Sequence, residues 1–169
     1  MSTQQPLIFD NIDEPGLHTI DVYRRRGGYG DRLRKALTMP PEALVEELKA
    51  SGLRGRGGAG FSMGMKASFM PKGTMDKYLC CNADESEPGT FKDRLLMQRN
   101  PHRLIEGIII GAKAAGANKA FIYIRGEYAL QADILDAAEI VDAIKVTRTP
   151  LPGRGLGDPD YRLPWGGRA

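Results

Sequence analysis

The chain has 169 residues, 41% hydrophobic and 27% charged, a balance that fits one globular unit with a sizeable core. Its net charge of +3, with basic residues scattered among acids, is too small to mark a nucleic-acid binder. Met1–Pro6 has no apolar leader core, and the most apolar run, Leu104–Ala117, carries Glu106 and Lys113 and is too short for a bilayer, so a soluble protein is expected.

Residues 1–38 are polar and turn-rich, with Gly27-Gly28-Tyr29-Gly30 following the basic cluster Arg24–Arg26. They read as an extended arm packed over another part of the structure. Pro40-Pro41-Glu42 opens a helix, because proline suits a first turn and Glu42 suits the positive N-terminal pole. Ala43, Leu44, Val45 and Leu48 give it an apolar face, and Ser51-Gly52 ends it.

From Gly52 to Gly64, six of thirteen residues are glycine, and Lys66 follows closely. Glycine is costly to order and brings no side chain to bury, so this stretch predicts a loop. Its backbone N–H groups can surround an anion, with Arg54, Arg56 and Lys66 adding charge, which points to a phosphate-bearing ligand. Gly55-Arg56-Gly57-Gly58-Ala59-Gly60 matches the dinucleotide pattern, but a helix precedes it where that turn needs a strand. No Walker sequence is present either. A flexible linker is the alternative, and Phe61 and Phe69 stand against it because aromatic rings favour burial.

Lys77–Cys81 predicts a strand. Cys80 and Cys81 are adjacent, which suits neither a disulfide framework nor a metal site, and they read as reduced thiols on a buried strand. Beyond it, Asn82-Ala83-Asp84-Glu85-Ser86-Glu87 gathers carboxylates at a strand end, where α/β sheets hold ligands. These groups would repel phosphate but accept from sugar hydroxyls and from flavin or base N–H groups; a solvated acidic turn is the alternative. No metal site is expected, since Glu85 and Glu87 have no histidine nearby, and His18 and His102 are too isolated to suggest a catalytic triad. Pro101–Ala115 predicts a helix, with His102 in its first turn. Ala120–Ile124 predicts a strand, and Glu127 to about Ala143 another helix. Alternating strands and helices predict an α/β fold with a parallel pair. From residue 147 to 169, proline, glycine and arginine dominate around Trp165, and an irregular tail is expected.

Three motifs together resemble a known family. Gly52-Leu53-Arg54-Gly55-Arg56-Gly57-Gly58-Ala59-Gly60-Phe61 with Lys66, Ser68, Phe69 and Pro71 is similar to the flavin loop of the NADH-binding flavoprotein subunit of respiratory complex I. Tyr78-Leu79, Cys81-Asn82-Ala83-Asp84-Glu85, Glu87-Pro88-Gly89-Thr90 and Lys92-Asp93-Arg94 resemble its second signature, and Ile122-Tyr123-Ile124-Arg125-Gly126-Glu127-Tyr128 its third. The likeness spans about residues 20–138, including Tyr29-Gly30 through Ala36-Leu37.

The resemblance implies a truncated, Rossmann-like FMN-binding domain with a mostly parallel sheet. Its implied organisation is an arm over 1–38, the N-terminal part of an FMN/NADH domain over 39–146, and a tail over 147–169. FMN would lie between the Gly55–Gly60 backbone with Lys66 and the acidic turn with Asn82, Asp84 and Glu85. Phe61 and Phe69 would sandwich the adenine of NADH, Glu87 would contact its ribose, and hydride would pass to the flavin without a catalytic acid or base. The family continues through a second flavin segment and a 4Fe-4S domain, whose cysteine ligands this sequence does not contain. Expected partners are the other peripheral-arm subunits, notably the 2Fe-2S subunit, with quinone as the eventual acceptor. The setting would be the cytoplasmic side of a membrane complex, with no direct membrane contact and no nucleic acid.

Ala67 stands where the family usually has tryptophan, and Ser62-Met63 where it has proline-threonine. Tyr161–Ala169 is compatible with a frameshift, since a coding sequence for it can be read one nucleotide later as Thr-Val-Tyr-Arg-Gly-Ala-Gly-Ala. The alternatives are a diaphorase subunit of an NAD-linked hydrogenase or formate dehydrogenase, and a non-catalytic remnant that binds flavin weakly or not at all.

Overall fold

A computed structural model describes residues 7–56, 58–73 and 76–138, and the backbone of 144–148. After a 3₁₀ turn at Leu7–Phe9, the expected extended arm is instead partly helical, with α1 at Ile20–Arg25 and α2 at Asp31–Thr38. Helices of 6 and 8 residues are too short to stand on propensity alone. Packing holds them: Tyr23, Leu33 and Ala36 are buried. Tyr23 donates to the Glu106 carboxylate, the Tyr29 N–H donates to the same group at 3.2 Å, and the Tyr29 hydroxyl meets His102 Nδ1 at 3.1 Å. Burial pushes both phenols up and His102 down.

Pro41–Ala50 forms α3, with proline in its first turn and Leu44 and Val45 buried. Met63–Ser68 forms α4, capped by the Ser62 side chain, which accepts from the Met65 N–H at 3.3 Å. A Cβ at Gly64 would lie 2.4 Å from the Lys49 backbone nitrogen, so glycine is what lets α4 pack onto α3.

Tyr78–Ala83 forms β1, Lys92–Arg99 α5, Pro101–Ala115 α6, Lys119–Ile124 β2, Ala129–Ala138 α7 and Ile144–Arg148 β3. Asn100 caps α6, Pro101 occupies its first turn, and Gly116 ends it at φ +66°. The sheet is parallel in the order β1-β2-β3, with Tyr78 opposite Lys119 and Ala120 opposite Ile144. Alternation along the strands sends Ala83, Ala120, Ile122 and Ile124 into one core with Met97, Ile105, Ile108, Ala132 and Leu135. Helices α5, α6 and α7 therefore cover one face.

The expectation of a buried strand for the two cysteines is corrected here. Among the described residues β1 pairs only with β2 and helices cover one of its faces, so Cys80 is exposed and Cys81 half-buried. Thr147 and Arg148, expected in the irregular tail, belong to β3. Residues 149–169 with Trp165, and 139–143 of the expected last helix, lie outside the described residues.

Candidate functional site

The glycine loop is pinched at its base. Arg54 bridges Ser62 in antiparallel fashion, the Gly55 N–H donates to the Phe61 carbonyl at 2.9 Å, and the Met63 N–H donates to that of Leu53 at 2.9 Å. The Arg54 guanidinium reaches the Gly60 carbonyl at 3.3 Å, and Gly60 takes φ +68°. Gly58 is different: its φ is not in the left-handed region and a Cβ there would meet nothing within 4 Å. The chain's own packing does not require glycine at that point, which leaves approach by another molecule as a reason for it. Gly57 lies outside the described residues.

Ala59, Arg56 and Lys66 are exposed. Arg56 and Lys66 have no ion-pair partner among the described residues, so the loop is flanked by two free cations. Phe61 and Phe69 are 55% and 66% exposed, yet their rings are 6.2 Å apart and tilted by 41°. A flat base between them needs two contact layers, roughly 7 Å in all, so a small opening of the pair would admit one.

The acidic turn divides into two kinds of carboxylate. Glu85 takes φ +50° and its side chain is only 1% exposed. Its oxygens accept from the backbone N–H groups of Asp93 and Arg94 at 2.7 and 2.8 Å, at the positive end of α5. The Tyr128 hydroxyl donates to it at 3.4 Å, and the Lys92 ammonium stands 4.0 Å away. The expectation that Glu85 faces a flavin thus meets a carboxylate turned inward as a helix cap. Asn82 accepts from the Asp84 N–H at 3.1 Å, and Asp84 accepts from Ser86. Asn82 and Glu87 are exposed, Asp84 half-buried; these three keep polar atoms for an outside partner.

Lys66 and Met63 line a groove of about 710 Å³ together with Cys80 of β1. Asn82 lies two residues beyond Cys80, on the same face of that strand. The loop's following helix and the acidic turn therefore share one edge of the sheet. No hydrogen bond or ion pair joins Gly55–Gly60 to the acidic turn among the described residues. The third motif gains a role that its sequence did not disclose. Tyr128 braces Glu85, and the Arg125 guanidinium lies 5.8 Å from the Tyr128 ring centre while pairing with Glu127 at 3.2 Å. The β1–β2 pairing brings these strand ends together.

A parallel sheet with helices packed on one face, an open glycine loop and an acidic turn after the C-terminal end of β1 define an α/β domain. Comparison with solved structures agrees in fold. The chain resembles a crystal structure of NAD+-reducing [NiFe]-hydrogenase in the air-oxidized state, with TM-score 0.63 and 34% identity over 85% of this chain and 24% of that one. Residues 48–151 match the Nuo51 FMN-binding domain, and the chain belongs to that family. It is 56% identical over 126 residues to the second F-type subunit of NADH-quinone oxidoreductase from Rhizobium meliloti, covering 73% of this chain and 30% of that one. To the F-type subunit of the Aquifex aeolicus enzyme it is 53% identical over 122 residues, covering 72% and 28%. The corresponding Escherichia coli protein is 54% identical over 126 residues, covering 73% and 28%. The chain thus spans 30% or less of the length of these relatives. Among the described residues no helix is long and apolar enough to cross a membrane.

Proposed function

We propose that this chain forms one wall of the FMN and NADH site of an NADH-quinone oxidoreductase flavoprotein subunit. The observation that carries the reading is Gly58, open to solvent and not required by the chain's own packing, in a loop flanked by Arg56 and Lys66, both unpaired among the described residues. Exposed amides beside two free cations fit a phosphate. Gly55–Gly60 and Lys66 would hold the phosphate end of FMN, while Asn82 and Asp84 would face its hydroxyls and ring. Glu85, capping α5 from within, would fix the turn that presents them. Phe61 and Phe69 would hold the adenine of NADH and Glu87 its ribose.

When bound, FMN supplies the two-electron acceptor that no protein side chain offers. The chain's own groups bind and orient; none needs to move a proton. The onward route through 4Fe-4S and 2Fe-2S centres to quinone would belong to the rest of the subunit and its neighbours, at the cytoplasmic side of a membrane complex. The hydrogenase likeness keeps a diaphorase subunit as the second reading. The 53–56% identities to quinone oxidoreductase subunits, against 34% to the hydrogenase chain, favour the first.

The test is an equilibrium FMN titration of the purified chain, followed by anaerobic addition of NADH. Weak flavin binding that Lys66→Ala abolishes, with the bound flavin bleached by NADH, is expected. Binding indifferent to Lys66→Ala contradicts the site. Absence of binding to the chain and to its complex with the rest of a relative's subunit assigns it to the non-catalytic class.

A further inference from the structure

The N-terminal arm is clasped to α6 through one buried imidazole. His102 is 2% exposed, and its ring stands 5.5 Å from that of Tyr23 and 5.7 Å from that of Tyr29. It hydrogen-bonds the His18 backbone in the sense that favours a charged ring, so a ring N–H is the donor there. Nδ1 is left to accept from the Tyr29 hydroxyl at 3.1 Å. The neutral ring thus serves the arm at both nitrogens, one giving and one receiving.

The surroundings disfavour a second ring proton. His102 lies in the first turn of α6, at the positive end of that helix. Among the described residues, the arm brings His18, Tyr23, Arg24 and Tyr29 to the cluster, and α6 brings Arg103 and Glu106. Arg99 of α5 and Asp133 of α7 line cavities that His18 also lines. The Glu106 carboxylate is engaged by the Tyr23 hydroxyl and the Tyr29 N–H. A proton on Nδ1 would make that atom a donor facing the Tyr29 hydroxyl hydrogen, and would set a positive charge near Arg24.

The held segment is also strained. Tyr29 takes φ +52°, a left-handed conformation that an aromatic residue rarely adopts unless its contacts impose it. A Cβ at Gly28 would fall 2.1 Å from the Tyr23 ring, so the glycine turn lies directly on that ring. Space lies on both sides: a cavity of about 420 Å³ beside His18, Ile20 and His102, and one of about 650 Å³ beside Tyr23, Gly28 and Glu106. α2 has a separate anchor, with Ala36 packed against Leu44 and Ala114.

We infer that His102 is a proton-operated latch. Neutral, it holds α1 and the glycine turn on α6; protonated, it releases Tyr29 and lets that segment open while α2 and the sheet stay folded. The direction follows from burial, which holds His102 below its ordinary value. In the open segment the imidazole is hydrated and takes up the proton first. The closed form is therefore fully favoured above about pH 6.5 and weakens as pH falls toward the folded value, by up to about tenfold per unit. This inference rests on the arm's geometry and not on the flavin reading.

NMR of the whole chain without added FMN tests it. At about pH 7.5, above the ordinary histidine value, the His102 ring should carry its hydrogen on Nε2 and none on Nδ1. Hydrogen exchange, corrected for intrinsic rates, should run at least about tenfold faster at the Tyr23, Arg26 and Tyr29 amides than at those of Ile105 and Ile122. Low urea should quicken the second set far more than the first, since only global unfolding exposes it. From about pH 7.5 to about 5.5 the arm amides should quicken at least about fivefold. His102→Gln should remove that dependence, whereas His18→Gln, at the other of the chain's two histidines, should keep it. Equal protection in arm and core, a hydrogen on Nδ1 at the higher pH, or arm exchange whose pH dependence is absent or survives His102→Gln would each overturn the latch. The tautomer and the arm-to-core ratio are read on the native chain, so they decide the matter even where a variant fails to fold.

Discussion

Removing the Glu85 carboxylate should unfasten the acidic turn from α5. The side chain is 1% exposed and accepts two backbone N–H groups at 2.7 and 2.8 Å. A hydrogen bond to a charged group contributes about 1.5–3 kcal/mol. Water regains part of that at a helix end with exposed residues, so Glu85→Ala should cost about 2–4 kcal/mol. At roughly 2–4 °C per kcal/mol for a chain of this size, the melting temperature should fall by about 4–16 °C. Glu85→Gln, which keeps one acceptor oxygen, should cost about half as much. Backbone strain supplies an internal control. Because φ at Glu85 is +50°, Glu85→Gly should cost about 1 kcal/mol less than Glu85→Ala despite the smaller side chain. Urea unfolding followed by far-UV circular dichroism measures all three. A Glu85→Ala change within about 0.5 kcal/mol of the parent chain would refute the capping role.

Gly64→Ala should destabilise by about 1–3 kcal/mol or more, since its Cβ would fall 2.4 Å from the Lys49 backbone; equal urea midpoints would contradict the α3–α4 contact. Stability should also depend on pH through His102, which burial holds below its ordinary value. Its neighbours are Tyr29, Tyr23, His18 and Arg24. The unfolded chain takes up the proton first, so stability is full above about pH 6.5 and is lost as pH falls toward the folded value, by up to about 1.4 kcal/mol per unit. His102→Gln should flatten that dependence, as read by urea midpoints on either side of the ordinary histidine value. Alkylation near neutral pH should reach Cys80 well before Cys81, whose thiol burial pushes up to about 11; mass spectrometry of the two single-serine variants distinguishes them.

The sequence disclosed the long, strongly patterned elements. The helix Pro101–Ala115 has the expected bounds because an asparagine cap, a first-turn proline and a terminal glycine frame a regular apolar stripe. The short elements were hidden. Six to eight residues at α1, α2, α4 and α5 cannot display a helical period, and contacts remote in sequence hold them, such as Tyr23 with Glu106. The cysteines misled for a related reason: an apolar strand does not reveal that, among the described residues, it will have one strand neighbour and an exposed Cys80. At the site, glycine density with Arg54, Arg56 and Lys66 close by marked the loop directly. Glu85 looked like its acidic neighbours, and only the fold separates a carboxylate turned into a helix end from those left facing outward.

The most direct measurement is the FMN affinity of this chain in complex with the rest of a relative's subunit, compared with that of the same complex carrying Lys66→Ala. Loss of a charge-assisted phosphate contact predicts at least about tenfold weaker binding, roughly 1.4 kcal/mol. Unchanged affinity in the Lys66→Ala complex would contradict the assignment of the glycine loop to the flavin phosphate.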